Sequence, residues 1–228
     1  MGVRIGDPIV PDSAFSTGVK NAWRKPEGGG EEKPAGKTTL AWGKAFDDRV
    51  GAFIAAEVVR TLKEGRVEHP NTVTGAATVQ EEIGLRGART SAHIAQPDVC
   101  ITLEVDIAGD VPGVEAYEAP TRMGLGPAIL TYDASMVPNQ ALKELLITVA
   151  EENRIPHQLS QMKGGGTDGG AIHMANAGCP TVVLTVPTRH IHSHVGIISL
   201  DDIDNAVRLL VEVVKRLDKK TVESFTTI

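Results

Sequence analysis

Short apolar runs alternate along the chain with segments whose apolar residues recur at helical spacing. The runs at 98–105 and 181–186 are almost continuously apolar, which is typical of strands covered on both faces. Further strands are predicted at 3–10, 72–80 and 129–132, and helices at 48–65, 85–93, 139–152 and 199–217. This alternation predicts an α/β fold, a three-layer α/β/α sandwich around a largely parallel mixed sheet.

The composition is that of an ordinary globular domain. The chain has 228 residues, of which 41% are hydrophobic and 23% charged, so it can bury a core without disulfides or a structural metal. Its net charge of −6 argues against nucleic acid or an anionic membrane surface as the main partner. A small or peptidic substrate fits this charge better.

The sequence predicts a cytoplasmic location. No stretch reaches the roughly 18 apolar residues of a membrane span, and residues 1–20 lack the apolar region of a signal peptide. Cys100 and Cys179 lie in apolar surroundings and form no CxxC pair, as expected of buried thiols in a reducing compartment.

Acidic and imidazole side chains gather near the ends of the predicted strands. Ligands of open α/β sheets bind outside the carboxyl ends of the strands, so we expect these side chains to meet at one rim. Their negative charge is costly in a cleft unless a divalent cation lies among them, and oxygen donors with one or two nitrogens suit Zn²⁺, Co²⁺ or Mn²⁺. The residues are Asp47, Asp48, Glu81, Glu82, Glu104, Asp106, His190, His192 and His194.

The doublet Glu81–Glu82 suits a hydrolytic site with two metal ions. Such a site needs a carboxylate that bridges the ions, further ligands on each ion, and a separate carboxylate that takes a proton from metal-held water. Adjacent residues on an irregular turn point in different directions, so one glutamate can bind metal while its neighbour faces the water. Residue order alone leaves open which glutamate has which duty.

Five motifs carry a family resemblance by their order and spacing: AFDDRVG (45–51), TVQEEIGLRGA (78–88), LEVDIAGDVPG (103–113), GGGTDGGAIH (164–173) and PTRHIHSH (187–194). They resemble the deblocking or glutamyl aminopeptidase family, the di-metal peptidases that form tetrahedral dodecamers and are sometimes named endoglucanase M. The resemblance covers nearly the whole chain except residues 20–37. It implies an aminopeptidase with peptide substrates, two divalent metal ions, zinc or cobalt, and a homo-oligomeric assembly.

The resemblance also implies roles for individual residues. By it, Asp47 is the bridging metal ligand and Glu81 is the general base. Glu82 and His192 are implied as further metal ligands, whereas the two histidines that flank His192 are assigned no metal.

Two positions match the family less directly. The family usually has aspartate where this chain has Glu104, so Glu104 is implied as a ligand, with Asp106 on the same strand face as its competitor. The loop that contains the glycine run 164–166 borders the active site in the family, which implies that Asp168 lies near the substrate or has a structural role beside the site. The resemblance further implies a cis peptide bond between Asp47 and Asp48.

The family pattern begins earlier than this sequence does. Its members open with a segment whose His-x-Asp motif supplies a ligand of the second metal, followed by an inserted β-barrel domain, whereas the first histidine here is His69. We expect residues 1–19 to be a barrel remnant, 20–38 a Gly- and Pro-rich linker, and 39–228 the catalytic domain. Without that ligand, this chain is expected to bind about one metal ion and to have impaired activity.

Two other functions compete with this interpretation. Paired carboxylates also serve glycoside hydrolases as acid and nucleophile, but aromatic residues make up only 4% of the chain, so sugar-stacking surfaces are scarce. The second competitor is a non-catalytic protein that keeps the fold and one metal as an assembly or binding module.

Overall fold

The computed structural model describes residues 14–24 and 33–226. The strands are β1 Ser16–Arg24, β2 Lys33–Gly43, β3 Cys100–Ile107, β4 Ala128–Leu130, β5 Gln158–Ser160, β6 Thr181–Arg189 and β7 Gly196–Ser199. The helices are α1 Phe46–Glu64, α2 Arg86–Ala95, α3 Gln140–Glu152, α4 Asp168–Ile172, α5 Leu200–Val214 and α6 Lys219–Ser224. Within these residues, none of the helices is both long and apolar enough to cross a membrane.

The four predicted helices are confirmed as α1, α2, α3 and α5. The longest, α1, buries a stripe at three- and four-residue steps that includes Val50, Ile54 and Val58. The first turn of α5 is capped by Ser199, whose hydroxyl accepts the backbone N–H of Asp202 at 3.3 Å. Local periodicity and capping therefore determine where these helices lie.

The sheet is mixed, as predicted, and β6 lies at its centre. β6 pairs with β3 in parallel and with β4 and β7 in antiparallel orientation. β4 and β5 are parallel, whereas β2 pairs antiparallel with both β1 and β7. The expectation of a largely parallel sheet is wrong for the described strands, because short connections such as the one from β6 to β7 join antiparallel neighbours.

Helices cover both faces of the sheet, which gives the predicted three layers. Val105 of β3 and Leu184 of β6 face the main core, which they share with α1, α3 and α5. The neighbouring Val183 faces the other way and packs with Met136 beneath α4, which contacts both β3 and β6. Since side chains alternate along a strand, Glu104 and Asp106 of β3 point to the α4 side.

Two predicted segments differ from the structure. Residues 72–80 form no strand, although they are rich in β-branched residues, because none of the described strands pairs with them. Residues 20–24 and 33–37, predicted as part of a linker, lie instead in β1 and β2, whose backbones pair antiparallel. Polar composition suggested a loop there, but an antiparallel ladder is held by backbone groups of any composition. The predicted strand 3–10 lies outside the described residues, and the division into domains stays a prediction.

Candidate metal centre

Asp47, Glu82 and His192 bring one potential ligand atom each within 4.8 Å of one another. His192 Nε2 lies 2.9 Å from Asp47 Oδ2 and 3.5 Å from Glu82 Oε2. The three residues come from the start of α1, the turn before α2 and the segment after β6. Two carboxylates and one imidazole are a donor set that fits a divalent ion such as Zn²⁺.

The pair Asp47–Asp48 sends two carboxylates in different directions. The peptide bond between them is cis, as the family resemblance implies. Asp48 turns inward, where its Oδ1 accepts the backbone N–H of Gly51 at 2.7 Å. Burial, with a contribution from the charges of Asp47 and Glu81, raises the pKa of Asp48 to about 7. Asp47 is thereby left as the member of the pair that meets His192.

The Glu81–Glu82 turn gives its two carboxylates different surroundings. The backbone N–H groups of Gly84 and Leu85 donate to the Glu81 carbonyl oxygen at 3.0 and 2.9 Å, which closes the turn. Glu82 has a side chain that is 56% exposed and approaches His192, whereas Glu81 is half-buried. Burial and the charges of Asp168, Glu82 and Asp47 raise the pKa of Glu81 to about 7. Glu81 is therefore suited to exchange a proton near neutral pH.

Glu104 and Asp106 point to the same side of β3 but differ in their partners. Asp106 accepts the Ser160 hydroxyl and the Ile107 N–H, the latter at 2.7 Å. Glu104 accepts the N–H of Val105 at 3.0 Å. Burial and the charges of Asp48, Asp47 and Glu81 raise its pKa to about 9. Its charged neighbours place Glu104 beside the centre, although it is not one of the three clustered ligands in the described residues.

Asp168 is buried at the N-terminus of α4, with 8% of its surface exposed. Its Oδ2 accepts the hydroxyl of Thr78, and among the described residues nothing donates to its buried Oδ1. Its negative charge acts on Glu81 and Asp48 and raises the pKa of both. Sequence reasoning identified Asp168 but missed Thr78, whose only signal was its place four residues before Glu82.

Two of the candidate histidines and two nearby arginines lie outside the cluster. His190 and His194 are exposed. Arg189 forms an ion pair with Asp110, with N–O distances of 2.8 and 2.6 Å. Arg49 donates to backbone carbonyl oxygens at the start of α1. Neither arginine neutralises the carboxylates of the centre.

The electrostatics of the described site fit a divalent cation. Burial raises the pKa values of Asp47 and Glu81, and the charged groups that shift them further are other carboxylates and His192. Among the described residues, one buried oxygen, Asp168 Oδ1, also lacks a partner. A bound dication is the ordinary way to stabilise such a concentration of negative charge.

The sequence profile of the M42 glutamyl aminopeptidase family matches residues 33–209, and the chain belongs to this family. A TET aminopeptidase structure from the marine sediment archaeon Thaumarchaeota archaeon SCGC AB-539-E09 is 59% identical, with a TM-score of 0.87. The match covers 99% of this chain and 58% of that one. The mixed α/β fold is thus that of TET aminopeptidases.

Two further relatives agree with this assignment. The glutamyl aminopeptidase of Lactococcus lactis subsp. cremoris (strain MG1363) is 31% identical over 221 residues, which cover 97% of this chain and 56% of the relative. The Pyrococcus horikoshii TET1 peptidase, described as assembling into a tetrahedron or a large octahedral shell, is 26% identical, with a TM-score of 0.64 and coverage of 81% of this chain and 56% of that one. The chain spans little more than half the length of these relatives.

Proposed function

We propose that this protein is a metal-dependent aminopeptidase that hydrolyses N-terminal residues from peptides. The observation that carries the proposal is the cluster of Asp47, Glu82 and His192 with the half-buried carboxyl of Glu81 beside it. Metal dependence is a property of the M42 family as a whole, and the relatives named as aminopeptidases support the reaction class.

In this proposal, Asp47, Glu82 and His192 would hold one divalent ion. Glu104 would add a fourth carboxylate or imidazole donor, and it is favoured over Asp106 because both Asp106 oxygens accept hydrogen bonds, whereas Glu104 accepts one, on Oε1. Zinc and cobalt fit these donors. A bound dication polarises a peptide carbonyl and lowers the pKa of its water. We expect two ions in a complete enzyme and about one in this chain.

Glu81 takes the proton of the attacking water and returns it to the leaving amine. Its raised pKa supports this role, since a base works best when its pKa lies near the operating pH. Asp168, whose charge faces Glu81, is proposed to lie near the bound peptide. Its burial indicates that it acts behind the residues that touch the substrate.

The two competing functions are less well supported. A glycoside hydrolase would need its carboxylates free of metal, and the family match is to peptidases. A non-catalytic assembly module shares the fold and the metal centre, so only turnover separates it from the enzyme.

By analogy with the Pyrococcus horikoshii peptidase, we propose that this protein also forms homo-oligomers. The two free thiols are compatible with the predicted cytoplasmic location.

The test is a metal titration beside a turnover assay on the purified 228-residue chain. We expect about one equivalent of Zn²⁺ or Co²⁺ to bind tightly, and slow hydrolysis of aminoacyl p-nitroanilides that disappears with a chelator. Metal binding without any turnover would support the assembly module, and hydrolysis of a glycoside would support the glycosidase. Two tightly bound equivalents with rapid peptide hydrolysis would show that a further residue completes the second site.

A further inference from the structure

One side-chain hydrogen bond fastens the segment that leads into the Glu81–Glu82 turn. Residues 72–80 form neither helix nor strand and pair with no described strand. Within this segment, as far as the structure describes it, Thr78 is the only residue whose side chain makes a hydrogen bond, and its hydroxyl donates to Asp168 Oδ2. The bond therefore links the coil before α2 to the first residue of α4.

The Asp168 end of this link is firmly held. The hydroxyl of the preceding Thr167 donates to Asp133 Oδ2 at 3.1 Å. A Cβ added to Gly170 would lie 2.1 Å from the Oγ of Ser135, so α4 packs against the 133–136 loop with no room for a side chain there. The Asp168 carboxylate is therefore held in place by the packing of α4.

The Thr78 end leads directly to the metal ligand. The N–H of Gly87 donates to the carbonyl oxygen of Val79 at 2.9 Å, and that of Arg86 donates to Gln80 at 3.2 Å. A Cβ on Gly87 would lie 2.5 Å from the backbone of Val79, so α2 and the segment touch closely. These contacts join Thr78 to the Glu81–Glu82 turn through backbone that is hydrogen-bonded to α2, so we expect a shift of Thr78 to move Glu82.

We propose that the Thr78–Asp168 hydrogen bond positions the Glu81–Glu82 turn so that Glu82 meets Asp47 and His192. The inference rests on the metal centre of the proposed function. Thr78 supplies the one side-chain donor to Asp168 within the described residues, so its loss leaves a buried carboxylate unpaired and releases the segment. Without the hydrogen bond, metal binding has to order Glu82, which is already in position in the native chain, and the affinity for metal falls.

The experiment measures Co²⁺ affinity by visible absorption in the full 228-residue chain and three variants. Thr78→Val removes the hydroxyl and keeps the shape, and we expect Co²⁺ affinity to fall about tenfold. Thr78→Ser keeps the hydroxyl and should bind Co²⁺ within about twofold of the native chain. Thr74→Val makes the same chemical change at an exposed threonine of the same segment and should have no effect. Circular dichroism at the titration temperature verifies that each variant is folded.

Each outcome bears on the proposal. Native Co²⁺ affinity in Thr78→Val, or an equal loss in Thr78→Ser, overturns the positioning role while leaving the metal centre intact. If Thr78→Val does not fold, Thr78→Ala, which also lacks the hydroxyl, takes its place with the same expected loss. If the native chain shows no Co²⁺ binding that depends on His192, the proposal of a metal centre is overturned, and the proposed positioning role of Thr78 is overturned with it.

Discussion

His192 Nε2 lies 2.9 Å from Asp47 Oδ2, a contact that joins the segment after β6 to the start of α1. Both His192 and the nearby His190 have left-handed backbone conformations, with φ values of 58° and 59°. Among the described residues, His192 is the histidine that clusters with Asp47 and Glu82.

The first prediction compares these two histidines. Asparagine tolerates the left-handed conformation, so His192→Asn and His190→Asn change the side chain with little backbone cost. We expect His192→Asn to weaken Zn²⁺ or Co²⁺ binding at least tenfold, because it removes the cluster's nitrogen ligand. His190→Asn should bind within about twofold of the native chain. Isothermal titration of both variants measures the metal affinity. An equal loss of affinity in the two variants would show that His192 is not the specific ligand.

The second prediction separates the two glutamates of the turn. Glu81→Gln should keep the metal content and lose most of the turnover, because an amide cannot take the proton of the attacking water. Glu82→Gln should lose metal, because a neutral amide oxygen is a weaker ligand than a carboxylate. Metal analysis and an aminoacyl p-nitroanilide assay on both variants give the result. A metal-free Glu81→Gln would mean that the two roles are exchanged.

The third prediction concerns the close packing behind Asp48. A Cβ on Gly51 would lie 2.3 Å from Asp48 Oδ2 and 2.9 Å from the carbonyl oxygen of Leu103. Alanine would favour the helix by about 1 kcal/mol, but overpacking against a strand backbone costs about 1–3 kcal/mol and should outweigh it. Urea unfolding of Gly51→Ala should therefore show a lower free energy of unfolding.

Gly164→Ala is the matched control for this substitution. A Cβ at Gly164 would meet nothing within 4 Å, so its free energy of unfolding should change by less than about 0.5 kcal/mol. If Gly51→Ala is as stable as Gly164→Ala, the approach of α1 to β3 is looser than the structure indicates.

The helices of this fold could be predicted from sequence because their signals are local. The stripe of α1 and the Ser199 cap of α5 depend only on residues a few positions apart. The short strands β5 and β7 were missed because a strand of three or four residues is defined by its neighbours. β7, for example, pairs with β2, which is far away in the sequence, and with β6, which directly precedes it. Pairing between distant segments leaves no periodic signal.

The candidate site was predicted in part for a related reason. The sequence pattern singled out a larger set of acidic and imidazole residues, and the family resemblance implied Asp47, Glu82, Glu104 and His192 as the ligands among them. The proposed division of labour between Glu81 and Glu82 rests on their different burial, which the fold of the turn creates and which residue order does not contain. The link between Thr78 and Asp168 spans separate elements, so no spacing rule could have found it.

The last prediction concerns the pH dependence of stability and depends on a buried carboxyl away from the metal centre. Asp202 accepts the backbone N–H groups of Gly124 and Gly126, each at 2.7 Å. Burial outweighs these bonds and raises its pKa from 3.8 to about 7. Between pH 3.8 and about pH 7, the Asp202 carboxyl is therefore protonated in the folded state and ionised in the unfolded chain. The contribution of Asp202 to stability is fully present below about pH 4 and is lost as the pH rises through 7.

The expected result is a free energy of unfolding that decreases from pH 5 to pH 8 in the metal-free protein, by up to about 1.4 kcal/mol per pH unit from this one proton. Asp202→Asn cannot titrate, and its amide can accept only one of the two N–H bonds. We therefore expect this variant to be less stable at pH 5 and to have a shallower slope against pH. Urea unfolding of both proteins across this range measures the two slopes. Equal slopes would show that Asp202 is already ionised in the folded state, with its two backbone hydrogen bonds outweighing the cost of burial.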